Sequence, residues 1–295
     1  FYLEKINQLL SLPHIIVVAG ARRSGKTTLM KLAIKELLEK GKNPKDILQA
    51  FQKFPIEAVM HFAASSQVAE SVADPLKYYE NNVLSCIHLL KAMRQHSVSR
   101  LIFSSTAAVY GAPERVPIEE TDPTRPVNPY GQSKWMIECM LQDSAKAGGP
   151  SYIALRYFNA CGADSKARTG ECHIPETHLI PNILKAAAGK TKEFVLYGDD
   201  YETPDGTCVR DYIHVEDLCD AHLAALRAFD KQIKNEVFNL GNGNGYSIKD
   251  VLRESERLTG KKIPLRTAPR RAGDPPRLVA SAKKAEIILG WKPKR

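Results

Sequence analysis

Short apolar runs alternate with longer amphipathic segments along most of the 295-residue chain. The runs at residues 15–18, 58–64, 100–105 and 153–158 are rich in aliphatic residues and have the length of buried strands. The segments between them have the helical spacing of apolar residues that places one face against a core. This alternation predicts an α/β fold with a doubly wound parallel sheet of the Rossmann-like kind.

The first 50 residues carry a phosphate-binding motif. A helical stretch over residues 1–12 precedes the first predicted strand, which leads into Gly20-Ala21-Arg22-Arg23-Ser24-Gly25-Lys26-Thr27. These residues match the P-loop pattern G-x-x-x-x-G-K-[ST], and an amphipathic helix follows over 27–40. Glycines in such a loop let backbone amides surround a phosphate, and the lysine adds a positive charge. The candidate ligands for a phosphate group or ATP are therefore Gly20, Gly25, Lys26 and Thr27.

Residues 1–48 resemble the opening of AAA-type P-loop ATPases, but the rest of an ATPase site is not predicted. Hydrolysis needs an acidic residue at the end of a later strand to hold magnesium, and no later apolar run offers one that fits. A second helix is predicted over 44–54, which leaves no length for two further strands before residue 58. The sheet is therefore expected to lack its outer strands and to have the P-loop after its first strand.

A tyrosine and a lysine four positions apart are the candidates for proton chemistry. Tyr130 and Lys134 lie at the start of a predicted helix, where this spacing places them on one face. A phenol has an ordinary pKa of about 10 and is a weak base at neutral pH, whereas a neighbouring ammonium group stabilises the phenolate. The pair alone is a weak signal, because any surface helix can carry it.

The surrounding motifs strengthen that interpretation, because residues 51–292 resemble the UDP-glucose 4-epimerase family of extended short-chain dehydrogenases/reductases. Seven ordered blocks carry the resemblance: residues 61–64 (HFAA), 78–83 (YYENNV), 103–111 (FSSTAAVYG), 128–134 (NPYGQSK), 155–159 (LRYFN), 205–215 (DGTCVRDYIHV) and 268–275 (APRRAGDP).

The resemblance implies that the chain interconverts UDP-glucose and UDP-galactose, with NAD removing and returning a hydride at C4 of the sugar. Tyr130 is then the base at the 4-hydroxyl, Lys134 lowers its pKa and contacts the cofactor ribose, and Thr106 hydrogen-bonds the reacting oxygen. The other residues implied for the cofactor are Phe62, Ala63, Asn82, Ser104 and Tyr157. Those implied for the substrate, besides Thr106, are Asn159, His178, Arg210, Tyr212, Arg271, Asp274 and Leu278.

Chemistry supports several of these assignments. Two arginines, Arg210 and Arg271, suit the two phosphates of a diphosphate, and Asp274 can accept a hydrogen bond from a ribose hydroxyl. Exposed ion pairing is the commoner role of an arginine and is the alternative for both. Leu278 falls where the family controls the space around the sugar's 2-substituent, so N-acetylhexosamines are expected to fit as well.

The front of the chain departs from the family pattern. The family's G-x-x-G-x-x-G turn and its adenosine-side acids are absent. Residues 1–50 are therefore expected to replace the start of the sheet in a composite chain, with P-loop amides in place of the missing turn. Residues 51–160 are assigned to the core of the nucleotide-binding domain, and 161–295 mainly to a smaller α/β part that binds the UDP-sugar. The alternative function is a P-loop nucleotide-binding module fused to an inactive nucleotide-sugar fold.

Charge and composition limit the partners. The net charge is +9, and its surplus lies in residues 1–50 and 261–295, where it can meet nucleotide phosphates. No nucleic-acid motif and no membrane-spanning stretch are found in the sequence, so a cytoplasmic protein is expected.

The six cysteines form no C-x-x-C pair, so disulfides are not expected. Since His61, His178 and His214 lack i, i+4 spacing, no metal site is assigned. The family resemblance implies a homodimer.

Overall fold

Five parallel strands form the central sheet. The computed structural model describes residues 15–18, 44–168, 170–171, 173, 176–271 and 274–295. Within them the strands of the sheet lie side by side in the order β1 (Ile15–Val18), β2 (Ala58–His61), β3 (Arg100–Thr106), β4 (Ser151–Tyr157) and β9 (Glu236–Leu240). Each neighbouring pair is parallel, and Val18 lies beside His61 in the register of β1 and β2.

Helices cover both faces of this sheet. In chain order they are α1 (Pro44–Lys53), α2 (Val68–Ala73), α3 (Pro75–Tyr78), α4 (Ser85–Gln95), α5 (Pro129–Lys146), α6 (Leu179–Ala187), α7 (Val215–Ala228) and α8 (Ile248–Thr259). A π-helical turn, Tyr79–Leu84, joins α3 to α4, and another lies at Ala285–Leu289. Short 3₁₀ turns follow β3 at Ala107–Tyr110 and α7 at Phe229–Lys231.

Side chains of the central strands alternate between two buried faces. Val59 and Leu101 pack in one apolar cluster with residues of α4 and α5. Met60 and Ile102, the next residues along the same strands, pack in a second cluster with residues of α7. Because successive strand residues point to opposite faces, continuous apolar runs are what a sheet buried on both faces requires.

The remaining strands form a smaller lobe. β5 (Asn159–Cys161) pairs with β8 (Tyr212–His214), and β6 (Phe194–Tyr197) pairs with β11 (Leu265–Ala268). β7 (Val209–Arg210) lies between β10 (Tyr246–Ser247) and β12 (Arg277–Leu278). Helices α6 and α8 contribute to the apolar cluster of this lobe.

A buried carboxylate joins the lobe to the sheet. Asp211, between β7 and β8, is fully buried and accepts hydrogen bonds from the backbone N–H groups of Asn242, Gly243 and Ala280 at 2.7–3.0 Å. A Cβ atom on Gly241 would lie 2.5 Å from Asp211 Oδ2, so a glycine is needed there. The end of β9, the lobe strands and the C-terminal segment are thereby held at one point.

The α/β class, the parallel sheet, the four predicted strands and the helix predicted over 44–54 are confirmed. The predicted division at residue 160 stays a prediction, and two later elements, α7 and the unpredicted strand β9, return to the central sheet. The helices predicted over 1–12 and 27–40 lie outside the described residues. In the described part of the chain, the cysteines form no disulfide and no helix has the length and apolarity to cross a bilayer.

Candidate active site

The first turn of α5 sets the position of Tyr130 and Lys134. Asn128 caps this turn by accepting a hydrogen bond from Gly131 N at 2.9 Å, and Pro129 suits a first helical position that needs no N–H partner. Tyr130 hydrogen-bonds Thr106, the last residue of β3, and Lys134 donates to the backbone oxygen of Ser104 on the same strand. Tyr130, Lys134 and Thr106 therefore lie together at the carboxyl end of β3.

Gly131 allows α5 to approach the turn that follows β3. A Cβ atom at this position would lie 2.6 Å from the backbone oxygen of Ala108. Thr106 caps the same turn, and its Oγ1 accepts a hydrogen bond from Ala108 N at 3.1 Å. The missing side chain thus lets Tyr130 come within hydrogen-bonding reach of Thr106.

Lys134 is a buried ammonium group with spare hydrogen-bond donors. It is only 3% exposed, donates to Ser104 O at 2.8 Å and lies 4.7 Å from the ring centre of Phe103. An ammonium group has three N–H donors, so two have no protein acceptor among the described residues. Burial lowers the pKa of Lys134 to about 8, although Cys86 and Glu138 favour its charged form.

The expected fall in the pKa of Tyr130 is not found in the protein alone. Burial raises the pKa of Tyr130, repulsion from Tyr157 adds to the rise, and the hydrogen bond with Thr106 opposes it. The physical reason is that a phenolate loses its hydration when buried, while Lys134 directs a hydrogen bond to Ser104 instead. The pair is in place, but the residues of the protein do not by themselves make the phenol acidic.

His222 of α7 connects the predicted cofactor residues Ser104, Phe62 and Tyr157. Its Nε2 lies 3.2 Å from Ser104 Oγ, and its Nδ1 lies 2.7 Å from the backbone oxygen of Leu218. Because a carbonyl oxygen only accepts, Nδ1 carries the proton and Nε2 accepts from the serine. Burial lowers the pKa of His222 to about 4. Its ring lies 4.7 Å from Phe62 and 6.4 Å from Tyr157, measured between ring centres.

Asn82, a predicted cofactor residue, uses its side-chain amide in hydrogen bonds within the protein. Its Oδ1 accepts from Ser65 N at 2.8 Å and from Asn81 Nδ2 at 3.1 Å. Its Nδ2 donates to Ser65 O at 3.1 Å and to Ser133 Oγ at 3.0 Å. Both donors and both acceptor positions of the amide are used within the protein. Asn82 therefore fixes to α5 the loop that carries the predicted cofactor residues Phe62 and Ala63.

A buried ion pair supports α5 beneath the site. Arg156 of β4 and Glu138 of α5 are both under 5% exposed, with Nη2 2.5 Å from Oε2. Ser105 Oγ donates to the same carboxylate, and Arg156 Nη1 donates to Tyr110 OH at 2.9 Å. Burial opposes the charge on Arg156, but the hydrogen bond and charge of Glu138 raise its pKa. The network links α5 to β3, β4 and the turn after β3.

Four of the eight predicted substrate residues lie on strands of the lobe. Asn159 on β5 pairs with Tyr212 on β8, and Leu278 on β12 pairs with Arg210 on β7. Arg210 is 9% exposed, and its Nη2 lies 3.3 Å from Asp274 Oδ1. The structure thus brings Arg210, Asp274 and Leu278 together, and it joins Asn159 to Tyr212.

Two further predicted substrate residues, Arg271 and His178, lie outside the strands. Arg271 is exposed and stands 4.1 Å over the ring of Tyr197, while its backbone oxygen accepts from Asp274 N at 3.3 Å. His178 precedes α6, and its Nδ1 lies 2.9 Å from Glu171. Hydrogen bonding to Glu171 raises the pKa of His178, although burial opposes the rise.

The predicted phosphate residues Gly20, Gly25, Lys26 and Thr27 lie outside the described residues, so their role stays a prediction. β1 ends at Val18, beside His61 of β2. The chain therefore leaves β1 at the carboxyl edge of the sheet, which is also where Thr106 ends β3.

Several buried polar residues near the site were not predicted. His61 is 3% exposed, and neither ring nitrogen has a hydrogen-bond partner among the described residues. Burial, followed by the charge of Lys134, lowers the pKa of His61 to about 3. His222 and the pair of Glu138 and Arg156 were also missed. A signal was available for two of them: His61 and Arg156 interrupt apolar runs whose other residues predict buried strands.

The sequence model of the NAD dependent epimerase/dehydratase family matches residues 6–241. The match begins at residue 6, so the family likeness extends into the segment that the sequence pattern had set apart.

Characterised relatives and solved structures agree with that match. UDP-glucose 4-epimerase of Halalkalibacterium halodurans is 52% identical over 244 residues, which are 83% of this chain and 73% of the relative. The enzyme of Lactobacillus helveticus is 54% identical over 239 residues, 81% of this chain and 72% of the relative. The Bifidobacterium longum UDP-glucose 4-epimerase in complex with NAD⁺ and UDP has a TM-score of 0.88 at 37% identity, covering 99% of this chain and 90% of that one.

Proposed function

The chain belongs to the NAD dependent epimerase/dehydratase family, and on that premise we propose that it interconverts UDP-glucose and UDP-galactose by inverting C4 of the hexose. The observation that carries the proposal is the junction of β3 and α5. A tyrosine, a threonine hydroxyl and a buried ammonium group meet there, at the carboxyl edge of a parallel sheet. Ligands of such sheets bind beyond this edge.

The residues present fit the nicotinamide half of NAD. Lys134 is buried, has no carboxylate in hydrogen-bonding contact among the described residues and retains two N–H donors. Such a group is suited to the hydroxyls of a ribose. Ser104, Phe62, Ala63 and Tyr157 complete the proposed contact surface. When bound, NAD supplies the acceptor and donor of the hydride at C4.

Tyr130 performs the proton transfer in this proposal. Its phenol oxygen would take the proton of the sugar 4-hydroxyl when C4 is oxidised and would give it back when C4 is reduced, the redox change being the chemistry that bound NAD would supply. Thr106 hydrogen-bonds the oxygen of the sugar 4-hydroxyl. Because burial raises the pKa of Tyr130 in the protein alone, the positive charge of Lys134 beside it is needed to favour the phenolate.

The lobe binds the UDP part. Arg210 and Arg271 contact the diphosphate, Asp274 and Tyr212 contact the nucleoside, and Asn159 and His178 lie along the path towards the sugar. Arg210 is the best supported of these, since it is buried and close to a single carboxylate. Leu278, in register with Arg210, borders the sugar and leaves room for an N-acetyl group.

In the proposed enzyme, each part of the chain has its own role. Residues 1–50 complete the sheet through β1, whose end lies beside His61. Gly20, Gly25, Lys26 and Thr27 then contact cofactor phosphates, with ATP as the competing ligand. Residues 51–160 form the core of the nucleotide-binding part, residues 161–295 supply most contacts to UDP-sugar, and the functional unit is a homodimer.

The test is conversion of UDP-galactose to UDP-glucose by wild type and by Tyr130→Phe with added NAD. We expect the variant to lose roughly 10²- to 10⁴-fold in kcat, because the proton acceptor is removed. Tyr246→Phe deletes the same hydroxyl at an exposed position on β10 and serves as the matched control. Wild type without activity, or Tyr130→Phe with the wild-type rate, would contradict the proposal.

A further inference from the structure

Four side chains converge just before α6. Glu171, His173, Glu176 and His178 each present a ligand atom, and these atoms all lie within 4.8 Å of one another. Nδ1 of His178 is 2.9 Å from Glu171 Oε1 and 2.8 Å from Glu176 Oε1. Nδ1 of His173 is 3.2 Å from Glu171 Oε1 and 3.8 Å from Glu176 Oε2. Each histidine therefore directs its Nδ1 atom towards both carboxylates.

These separations are those of ligands around one small cation. Zinc binds imidazole nitrogen and carboxylate oxygen at about 2.0–2.2 Å, which in a tetrahedron places ligand atoms roughly 3.4 Å apart. The four separations above range from 2.8 to 3.8 Å and so bracket that value. All the separations among the four ligand atoms stay within 4.8 Å, so an ion can enter with movements of the ligand atoms of roughly 1 Å.

Glu176 is oriented for such a role by its own neighbours. Its side chain is only 3% exposed, and Oε1 accepts hydrogen bonds from the backbone N–H groups of Thr177 and His178 at 2.9 Å. Its backbone oxygen accepts from Asn182 Nδ2 of α6 at 3.3 Å. Hydrogen bonds of this outer kind fix the direction of metal ligands and raise the affinity of a site.

We propose that Glu171, His173, Glu176 and His178 form a binding site for a divalent transition-metal ion of the Zn²⁺ type. Two carboxylates balance the charge of the ion, and two imidazoles supply nitrogen ligands that Mg²⁺ and Ca²⁺ do not favour. Four protein ligands leave no open position, so the role is structural. The ion ties Glu171 and His173 to the residues just before α6. The ion uses Nδ1 of His178, and Nε2 of the same ring remains for the proposed substrate contact.

The test is titration of the metal-free full chain with Zn²⁺ in a calorimeter, without nucleotide. We expect one site in wild type, and about a ten-fold or larger loss of affinity in both His173→Ala and Glu171→Gln, because each removes a ligand. His88→Gln, on α4, is the matched control and should keep the wild-type affinity. Circular dichroism establishes that each variant is folded.

Substitution of Co²⁺ gives a second measurement that a loss of stability does not imitate. The wild-type complex should show the visible absorption of tetrahedral cobalt with nitrogen and oxygen ligands, and His173→Ala should lack it. The proposal is overturned if wild type binds no Zn²⁺, or if His173→Ala and Glu171→Gln bind it as wild type does. The four residues would then be two ordinary histidine–carboxylate ion pairs.

Discussion

The carboxyl edge of the sheet and the lobe beside it handle charge in opposite ways. At the edge, Lys134 and Arg156 are almost fully buried, and their hydrogen bonds go to other buried groups. In the lobe, Arg271 stands exposed over an aromatic ring, and Asp274, the partner of Arg210, is 40% exposed. The edge is preorganised by the protein, whereas Arg271 and Asp274 of the lobe remain near water.

Because of this difference, charged residues at the edge and in the lobe should contribute to different properties, the stability of the fold and the affinity for ligand. A charge buried at the sheet edge cannot lose its partner without a large cost, because water does not replace the lost hydrogen bonds. A charge in the lobe can exchange one partner for another, so a diphosphate can compete with Asp274 for Arg210. Substitutions at the edge should therefore change folding, and substitutions in the lobe should change affinity.

The largest effect on folding is expected from Glu138→Leu. It leaves the charge of Arg156 buried without its carboxylate, which costs about 3–5 kcal/mol in the free energy of unfolding. Chemical denaturation of the nucleotide-free protein measures the change. Arg266→Gln, which breaks an exposed ion pair with Glu193, is the control and should leave the denaturation midpoint within error. A Glu138→Leu variant as stable as that control would remove the distinction between the two regions.

Arg210→Met should act on affinity with a smaller energy. Loss of charged hydrogen bonds to a diphosphate corresponds to about 1.5–3 kcal/mol, or roughly 10- to 100-fold in the Kd for UDP. Calorimetric titration with UDP measures it, and Arg266→Met again supplies an exposed arginine as control. If UDP binds to Arg210→Met as tightly as to wild type, this arginine does not hold the diphosphate.

The smallest expected effect is a change in how the free energy of unfolding depends on pH, caused by substitution of His61 at the sheet edge. Burial lowers the pKa of His61 from 6.5 to about 3, so the unfolded chain takes up a proton first as the pH falls. Stability associated with this group is therefore present above pH 6.5 and is lost between pH 6.5 and 3. The free energy of unfolding of wild type falls between pH 7 and pH 5. In His61→Leu this fall should be smaller than in wild type by about 2 kcal/mol.

Denaturation of nucleotide-free protein at the two pH values tests this expectation. The variant keeps part of the acid sensitivity, because burial also lowers the pKa of His222, to about 4. His88→Gln should lose as much stability as wild type. An unchanged loss in His61→Leu would mean that this imidazole does not stay neutral in the folded protein.

Sequence patterns predicted the central strands because those strands are buried on both faces and are apolar without interruption. The position of Tyr130 and Lys134 followed from helical spacing, and motif resemblance supplied the rest of the proposed site. Strand β9 was missed because its short apolar run includes Asn239 and gives no clear alternation.

The partners of individual polar groups could not be predicted. The four hydrogen bonds of Asn82 depend on Ser65 and Ser133, which are distant along the chain and meet only in the fold. Glu138 and Arg156 are likewise distant along the chain and meet only in the fold. The effect of burial on the pKa of Tyr130 could not be predicted for a related reason, since spacing gives the neighbour of a group but not its degree of burial.

Efforts to make this protein more robust would meet a conflict at Gly131. Replacing a helical glycine with alanine commonly stabilises a protein by about 0.4–1 kcal/mol, so the position looks attractive for that purpose. Its neighbour, however, is the rigid backbone oxygen of Ala108, and a methyl group would push the first helical turn away from Thr106. Tyr130 would move with that turn, so a substitution chosen to strengthen the helix would misalign the phenol.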